Sequence, residues 1–300
     1  MKFLLFATLP LLLLTAQTPP KRQLVITIDD LPRGGDSPSQ DLAELTSMTR
    51  ALTKHLRGTH AIGFVNPGSA KARAIGDAGL QSILKIWRDN KLDLGNHTST
   101  HPSLHRVPLA DYIQNLEAAE PPITQARGGR RSVFFRHTFL HTGLTLDIRR
   151  GFEDYLAKNN YRIAPVTIDT SDYVFAYVYS RDPARVRAAY LEHIEGATAF
   201  FEKRSVEVVG REIPQIILLH ANQLNADTMP DLLALFKRRG YRFIPLAEAL
   251  RDPAYQLPDT YTGPNGQSWI HRWAATKGMP QVEEPAEPQW IMELYRQGRK

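Results

Sequence analysis

The sequence contains no cysteine, and this absence removes several kinds of chemistry at once. Disulfide bonds, a thiol nucleophile, a lipid-anchored cysteine and a cysteine-ligated zinc are all excluded. The stability of the fold must therefore come from a hydrophobic core. A chain of 300 residues, of which 42% are hydrophobic, has ample material for one.

Long apolar runs are equally scarce, and the longest lies at the start of the chain. Residues 3–14 are almost entirely apolar and follow Lys2, but the run is too short to span a bilayer. Pro10 inside the run argues against a buried helix. We therefore predict a signal peptide over residues 1–18, export to the periplasm or the medium, and no stable membrane insertion after its removal.

Positive charge is present but not concentrated. The formal net charge is +6, yet the lysine and arginine residues are scattered, apart from short clusters at 127–131 and 203–204. Scattered charge is typical of a solvated surface. The chain carries no nucleic-acid-binding motif, so we expect no nucleic-acid partner.

Seven short β-branched or apolar segments alternate with six longer segments of helical period. The predicted strands are 24–29, 60–65, 92–96, 132–136, 161–168, 214–219 and 241–244. The predicted helices are 39–57, 70–90, 108–126, 145–159, 182–204 and 226–239. Such alternation predicts an α/β fold with parallel strands and crossover helices. We expect a closed barrel rather than an open doubly wound sheet, because polar residues follow several of the strands.

Beyond residue 252 the composition changes to proline, glycine and polar residues. Trp269 and Trp273 are four residues apart there, which suits a short helix docked on the domain; an aromatic platform for sugars is the alternative. We therefore divide the mature chain into a main domain, 21–252, and a C-terminal extension, 253–300.

Two pairs of chemically active side chains follow predicted strands. Asp29 and Asp30 come directly after one strand, and His97 and His101 follow another. One carboxylate and two imidazoles can hold a divalent metal with open positions, and a neighbouring carboxylate can act as a base. An acidic pair alone is commonly turn chemistry. Together with the two histidines it favours a metal-dependent hydrolase.

Three more polar residues end predicted strands: Arg136, Asp169 and His220. Each could form a structural ion pair or cap a loop. Because the carboxyl ends of parallel strands share one edge of the sheet, we expect all of these side chains to lie in one site.

In this order the segments resemble the five motifs of the polysaccharide deacetylases, carbohydrate esterase family four. The matching residues are Thr27-Ile28-Asp29-Asp30, His97 to His101, Phe135-Arg136 with Phe139, Asp169 to Asp172, and Leu218-Leu219-His220. The resemblance covers roughly residues 24–250. It implies a distorted seven-stranded (β/α) barrel and metal-dependent removal of acetyl groups, usually from N-acetylglucosamine polymers.

The resemblance also implies a role for each residue. Asp29 would be the general base and His220 the general acid, while Asp30, His97 and His101 would bind the metal. Arg136 would orient Asp29, Asp169 would orient His220, and the backbone amide of Phe139 would face the oxyanion. The ligand types favour zinc, with cobalt or nickel able to substitute. An acetylated glycan is the expected substrate, and no protein partner is implied.

The chain departs from the family pattern at three positions that border the expected cleft. Leu31-Pro32, Thr138 and Tyr173 stand where glycine, proline and tryptophan are usual. These departures bear on the shape of the substrate and remove no reacting group. The alternating aromatic residues Tyr173, Phe175, Tyr177 and Tyr179 predict either a half-buried strand or the lining of a sugar groove.

Three alternatives remain open or are disfavoured by the pattern. An O-acetyl esterase or small-amide hydrolase would use the same residues, and a non-catalytic carbohydrate-binding protein would keep only the fold. A non-haem iron oxygenase also uses two histidines and one carboxylate. Its usual double-stranded β-helix does not fit alternating strands and helices.

Overall fold

The computed structural model describes residues 22–35 and 39–298. The predicted signal peptide, residues 1–18, lies outside the described residues and stays a prediction. Within the described ranges, none of the helices combines the length and the apolar character that a membrane span requires.

Seven strands form one parallel sheet, which confirms the predicted number. The strands are β1 (Arg22–Leu31), β2 (Ile62–Val65), β3 (Asp93–Asn96), β4 (Phe134–Phe135), β5 (Arg162–Ile163), β6 (Gln215–His220) and β7 (Tyr241–Phe243). Their spatial order is β5-β4-β3-β2-β1-β6, and β7 pairs with the start of β1. The segment after β5 pairs with β6 through an isolated parallel β-bridge between Ile168 and Ile217. The sheet is thus curled into a distorted barrel, as the sequence predicted.

Ten α-helices cover this sheet in the described part of the chain. They are α1 (Leu42–Leu56), α2 (Ala70–Asp89), α3 (Leu109–Ala126), α4 (Leu146–Lys158), α5 (Asp172–Val178), α6 (Pro183–Val209), α7 (Gln223–Arg238), α8 (Leu246–Ala249), α9 (Trp269–Thr276) and α10 (Gln289–Gly298). The side chains of Asp41, Ser69, Thr145, Asp182 and Asn222 cap α1, α2, α4, α6 and α7 by accepting from first-turn amides. The six predicted helices are therefore confirmed, with small shifts at their ends.

The strand β1 lies between β2 and β6 and continues through the acidic pair. Its register pairs Asp29 with His220 of β6. The pairing with β2 shifts between Ile28 and Leu31, and Asp30 has a φ of 65°. In a regular strand adjacent side chains point to opposite faces. This irregularity lets Asp29 and Asp30 line the same cavity.

Of the two alternatives for the alternating aromatic residues, the half-buried strand was wrong, because residues 172–178 form the helix α5. Tyr173 and Tyr177 are four residues apart and so share one helix face. Both line the same cavity as Asp29. Phe175 is fully buried in the core. Packing of the segment against the barrel decides its conformation. Four aromatic residues at alternate positions are too short a pattern to predict that packing.

The helix α9 packs its tryptophans inward rather than presenting them to solvent. Trp269 is 8% exposed and Trp273 is 1% exposed. Between them, Arg272 is fully buried and donates to Asp259 at 2.7 Å and to Thr142 at 2.8 Å. Its guanidinium also lies 4.6 Å from the centre of the Trp269 ring. A buried cation thus ties this helix to the rest of the fold.

We predict that Arg272→Met lowers the free energy of unfolding by about 1.5–3 kcal/mol, because it removes a buried hydrogen bond between charged groups. Among the described residues, Asp259 then keeps only Arg149, at 2.8 Å, as its cationic partner. Urea unfolding followed by tryptophan fluorescence measures this loss. The matched control is Arg211→Ala, which breaks an exposed pair with Asp252 and should cost less than about 1 kcal/mol. A similarly small loss in both variants would contradict the prediction.

Candidate active site

Asp30, His97 and His101 come together at the carboxyl end of the sheet. Each offers one ligand atom, and these atoms all lie within 4.8 Å of one another. Asp30 Oδ1 is 3.6 Å from His97 Nε2 and 3.4 Å from His101 Nε2. Among residues 22–35 and 39–298, this is the only group of three or more such side chains with this geometry.

The donor set fits a divalent cation. Asp30 Oδ1 is buried and accepts no hydrogen bond from any described residue. Burial alone would raise the pKa of Asp30, but His101, His220 and His97 lower it below its ordinary value. The carboxylate is therefore ionised and faces two imidazole nitrogens, which is the arrangement that a metal site needs.

The hydrogen bond of His97 fixes which of its ring nitrogens can bind a metal. Its Nδ1 lies 2.9 Å from the carbonyl oxygen of Arg136. A carbonyl only accepts, so Nδ1 carries the proton and donates it. The lone pair of Nε2 then points toward Asp30. Burial lowers the pKa of His97 well below its ordinary value, which keeps the ring in the neutral form that binds metals.

The loop that carries both histidines is held by two asparagines that the sequence analysis did not identify. Thr98 and His101 have φ values of 65° and 60°. The side chain of Asn66 donates to the carbonyl of Thr98 at 3.1 Å, and Asn115 Oδ1 accepts from the amide of Ser99 at 2.8 Å. These bonds hold a left-handed backbone that non-glycine residues rarely adopt.

Asp29 lies beside the candidate metal ligands but has a different environment. It is 2% exposed, and its Oδ2 lies 3.5 Å from the Nη1 of Arg136. Arg136 is fully buried and also donates to Thr27 Oγ1 at 2.8 Å. Burial raises the pKa of Asp29 to about 6, even though Arg136 acts to lower it. The structure therefore joins Asp29 to Arg136, as the sequence predicted.

The prediction that Asp169 orients His220 was wrong, because Asp172 makes that contact. Asp172 Oδ1 lies 2.6 Å from His220 Nδ1. Asp169 instead accepts from the amide of Ser171 at 3.3 Å, within its own turn, although it still lines the cavity. Asp172 is the first residue of α5, and the start of this helix directs the carboxylate toward the end of β6.

Asp172 is also fixed by neighbours other than the imidazole. Its Oδ2 accepts from the backbone amide of His220 at 2.8 Å and from the side-chain amides of Asn222 at 3.0 Å and Asn225 at 2.6 Å. Burial alone would lower the pKa of His220, but Asp172 raises it to about 10. His220 therefore carries a proton near neutral pH.

One cavity of about 760 Å³ is lined by Asp29, Asp30, His97, His101 and His220, whereas Arg136 and Asp172 are not among its lining residues. Phe139 lines it, with a φ of 56° and its ring centre 4.4 Å from that of His101. Gly266 approaches Phe139 so closely that a Cβ atom there would lie 1.9 Å from the Phe139 carbonyl oxygen. The oxyanion role of the Phe139 amide stays a prediction.

Two residues of the C-terminal extension, Gly266 and Tyr295, also line this cavity. Neither residue can be identified from the sequence, because nothing in the local sequence distinguishes it from a surface residue. Asp172 could have been found, since it ends the matched motif and begins a segment that can form a helix.

The sequence model of the family described as polysaccharide deacetylase matches residues 16–147. The matched segment includes the acidic pair and the two histidines of the site, and it confirms the predicted resemblance. Asp172, His220 and the C-terminal helices lie beyond it. A comparison with curated protein sequences found no match.

Solved structures of carbohydrate esterase family four share the fold. A polysaccharide deacetylase from Bacillus cereus is 18% identical, with a TM-score of 0.51 over 75% of this chain and 91% of that chain. A family 4 carbohydrate esterase from Streptomyces lividans, in complex with acetate, is 18% identical, with a TM-score of 0.50 over 76% and 95%.

A third similar structure is a family pseudoenzyme from Bacillus anthracis. It is 18% identical, with a TM-score of 0.51 over 78% of this chain and 66% of that chain. At these identities the likeness shows the fold alone. Activity must therefore be argued from the residues of the cavity.

We predict that the protein binds about one divalent ion per chain, and that Asp30→Asn, His97→Ala and His101→Ala each weaken binding by more than ~100-fold. Loss of a residue that only hydrogen-bonds a metal ligand typically lowers metal affinity 10–100-fold, so loss of a ligand itself should lower it more. Elemental analysis after equilibrium dialysis against zinc measures the content. Asp29→Asn and His105→Ala are the controls and should keep the metal. Full metal content in both His97→Ala and His101→Ala would exclude this site.

A second prediction concerns the partner of His220. In the metal-free wild type His220 keeps its proton up to about pH 10. In Asp172→Asn it should lose the proton at a clearly lower pH, because burial remains and the hydrogen-bonded carboxylate is gone, while Asp30 and Asp29 still act to raise the pKa. An NMR titration of the ring measures this shift. Asp169→Asn should shift the pKa far less, and the reverse order would reinstate Asp169 as the partner.

Proposed function

We propose that this relative of the polysaccharide deacetylases is a metal-dependent hydrolase that removes N-acetyl groups from a glycan containing N-acetylglucosamine. One observation carries the proposal. The ligand cluster of Asp30, His97 and His101 shares a single cavity with a buried carboxylate, Asp29, and a protonated imidazole, His220. A base, a metal site and an acid are the three functions that hydrolysis of an amide requires.

Asp30, His97 and His101 would hold the metal, which we propose to be zinc because of the ligand types. A bound divalent ion would polarise the acetyl carbonyl and make water a stronger nucleophile.

Asp29 takes the proton of the attacking water. Its raised pKa of about 6 makes it a stronger base than an ordinary aspartate while it stays mostly ionised at neutral pH. The neighbouring Arg136 limits that rise and holds the carboxylate in place, and Thr27 in turn accepts from the arginine. Oδ1 of Asp29 accepts no hydrogen bond from the described residues, so its lone pairs are not already engaged.

His220 gives its proton to the departing nitrogen. An amine leaves poorly unless it is protonated, and His220 is protonated at neutral pH because Asp172 lies 2.6 Å from its Nδ1. The same bond places the proton of Nε2 away from Asp172. Asp172 acts through the imidazole and is therefore a positioning residue.

The remaining part of the cavity suits the acyl group. The side chains of Leu140 and Leu218 line it beside the polar groups and can accept the methyl of an acetyl group. The backbone amide of Phe139 is proposed to donate to the developing oxyanion. Export is part of the proposal, supported by the apolar run at 3–14.

The experiment measures acetate release from N-acetylated chito-oligosaccharides, before and after the metal is removed with a chelator. We predict that His220→Ala lowers turnover of these amides by at least ~100-fold, while turnover of an activated acetyl ester falls much less, because an ester leaving group depends less on acid assistance. Metal content, measured in parallel, should not change.

The outcome distinguishes the alternatives. Wild-type activity on acetyl esters alone would assign the protein as an O-acetyl esterase. Glycan binding without acetate release would assign it as a non-catalytic carbohydrate-binding protein. Equal losses on both substrates in His220→Ala would exclude the general-acid role.

A further inference from the structure

We propose that the C-terminal helix α10 forms one wall of the substrate cleft, and that Tyr295 binds the sugar ring that carries the scissile acetamide. It does so together with Tyr173 and Tyr177 of α5. This inference rests on the proposed function and adds a binding surface outside the segment that matches the family.

The three tyrosines form one cluster at the cavity, which we call the tyrosine cluster. The ring centre of Tyr295 lies 6.1 Å from that of Tyr173 and 5.2 Å from that of Tyr177. Both pairs meet edge to face, with interplanar angles of 70° and 80°. All three side chains line the cavity that contains the metal ligands.

The tyrosine cluster lies on the side of the cavity where the amine departs. The ring centre of Tyr173 is 6.1 Å from that of His220, the proposed acid. The nitrogen that His220 protonates is bonded directly to the sugar ring. A substrate in reach of His220 therefore brings that ring next to Tyr173 and Tyr295.

The chemistry of the tyrosine cluster matches that of a sugar. One face of a pyranose ring presents C–H groups, while its hydroxyls extend sideways; tyrosine offers an apolar ring and a polar hydroxyl on one side chain. Tyr173 is 51% exposed, so about half of its surface is accessible to a ligand in the cavity. An apolar surface of this kind at a concave site is typical of ligand recognition.

The helix α10 is held firmly enough to serve as a wall. Ile291 is fully buried, and the guanidinium of Arg185 lies 4.0 Å from the centre of the Trp290 ring. The hydroxyl of Tyr177 donates to the carbonyl of Gly298 at the end of the helix. Tyr295 is thus placed before any substrate arrives, which reduces the entropy lost on binding.

The experiment compares Tyr295→Ala and Tyr295→Phe with the control Arg296→Ala, which removes an exposed side chain of α10 that does not line the cavity. A further variant, Trp290→Ala, loosens α10 by removing the contact with Arg185 but keeps Tyr295. Two substrates are used, an N-acetylated chito-oligosaccharide and trifluoroethyl acetate, which has no ring. Tyr295→Ala should raise KM for the oligosaccharide at least ~10-fold with little change in kcat. The ratio of kcat/KM for the oligosaccharide to kcat/KM for the ester should therefore also fall at least ~10-fold. Tyr295→Phe should retain most of the affinity, because the ring remains.

Two results would overturn the inference. An unchanged KM in Tyr295→Ala would show that the ring does not contact the sugar. If Tyr295→Ala and Trp290→Ala each lost activity equally on the oligosaccharide and on the ester, α10 would only support α5 and Asp172.

A wild type that releases no acetate from any glycan would contradict the proposed function and not this inference. Calorimetric titration of the oligosaccharide into wild type and Tyr295→Ala then decides the inference, with a loss of affinity of at least ~10-fold expected.

Discussion

The site depends above all on one buried cation, Arg136. Its guanidinium contacts Asp29 at 3.5 Å, its carbonyl oxygen accepts from His97 at 2.9 Å, and its amide donates to Asn96 at 3.0 Å. A fully buried guanidinium is costly to desolvate, and its pairing with Asp29 and its place over the ring of Phe64 offset that cost. Arg136 thus positions the carboxylate of Asp29, the proposed base, and fixes the tautomer of His97, a proposed metal ligand.

Two adjacent carboxylates have opposite pKa shifts because their environments differ. Asp29 and Asp30 are neighbours in β1, yet burial raises the pKa of Asp29 to about 6 while the surrounding histidines lower that of Asp30. The same kind of separation distinguishes the imidazoles. His97 is kept neutral by burial, and His220 is kept protonated by Asp172. Opposite shifts in one cavity are the usual mark of divided acid, base and ligand roles.

The C-terminal extension is part of this arrangement. The pairing of Arg272 with Asp259 anchors α9, and Gly266 passes directly against the backbone of Phe139. Tyr295 then reaches the cavity from α10. Residues far apart in the chain therefore complete a cavity whose proposed reacting groups all come from the barrel.

The sequence alone determined the alternation of strands and helices, and with it the parallel sheet whose strand ends gather Asp29, Asp30, His97, His101 and His220 in one place. These features follow from local periodicity and from the geometry of parallel strands, which act over a few residues at a time. Only the tertiary structure decided that Asp172 rather than Asp169 contacts His220, that α5 is a helix, and that Tyr295 lines the cavity. Each of these depends on the distance between elements tens of residues apart, which packing sets and no local pattern encodes.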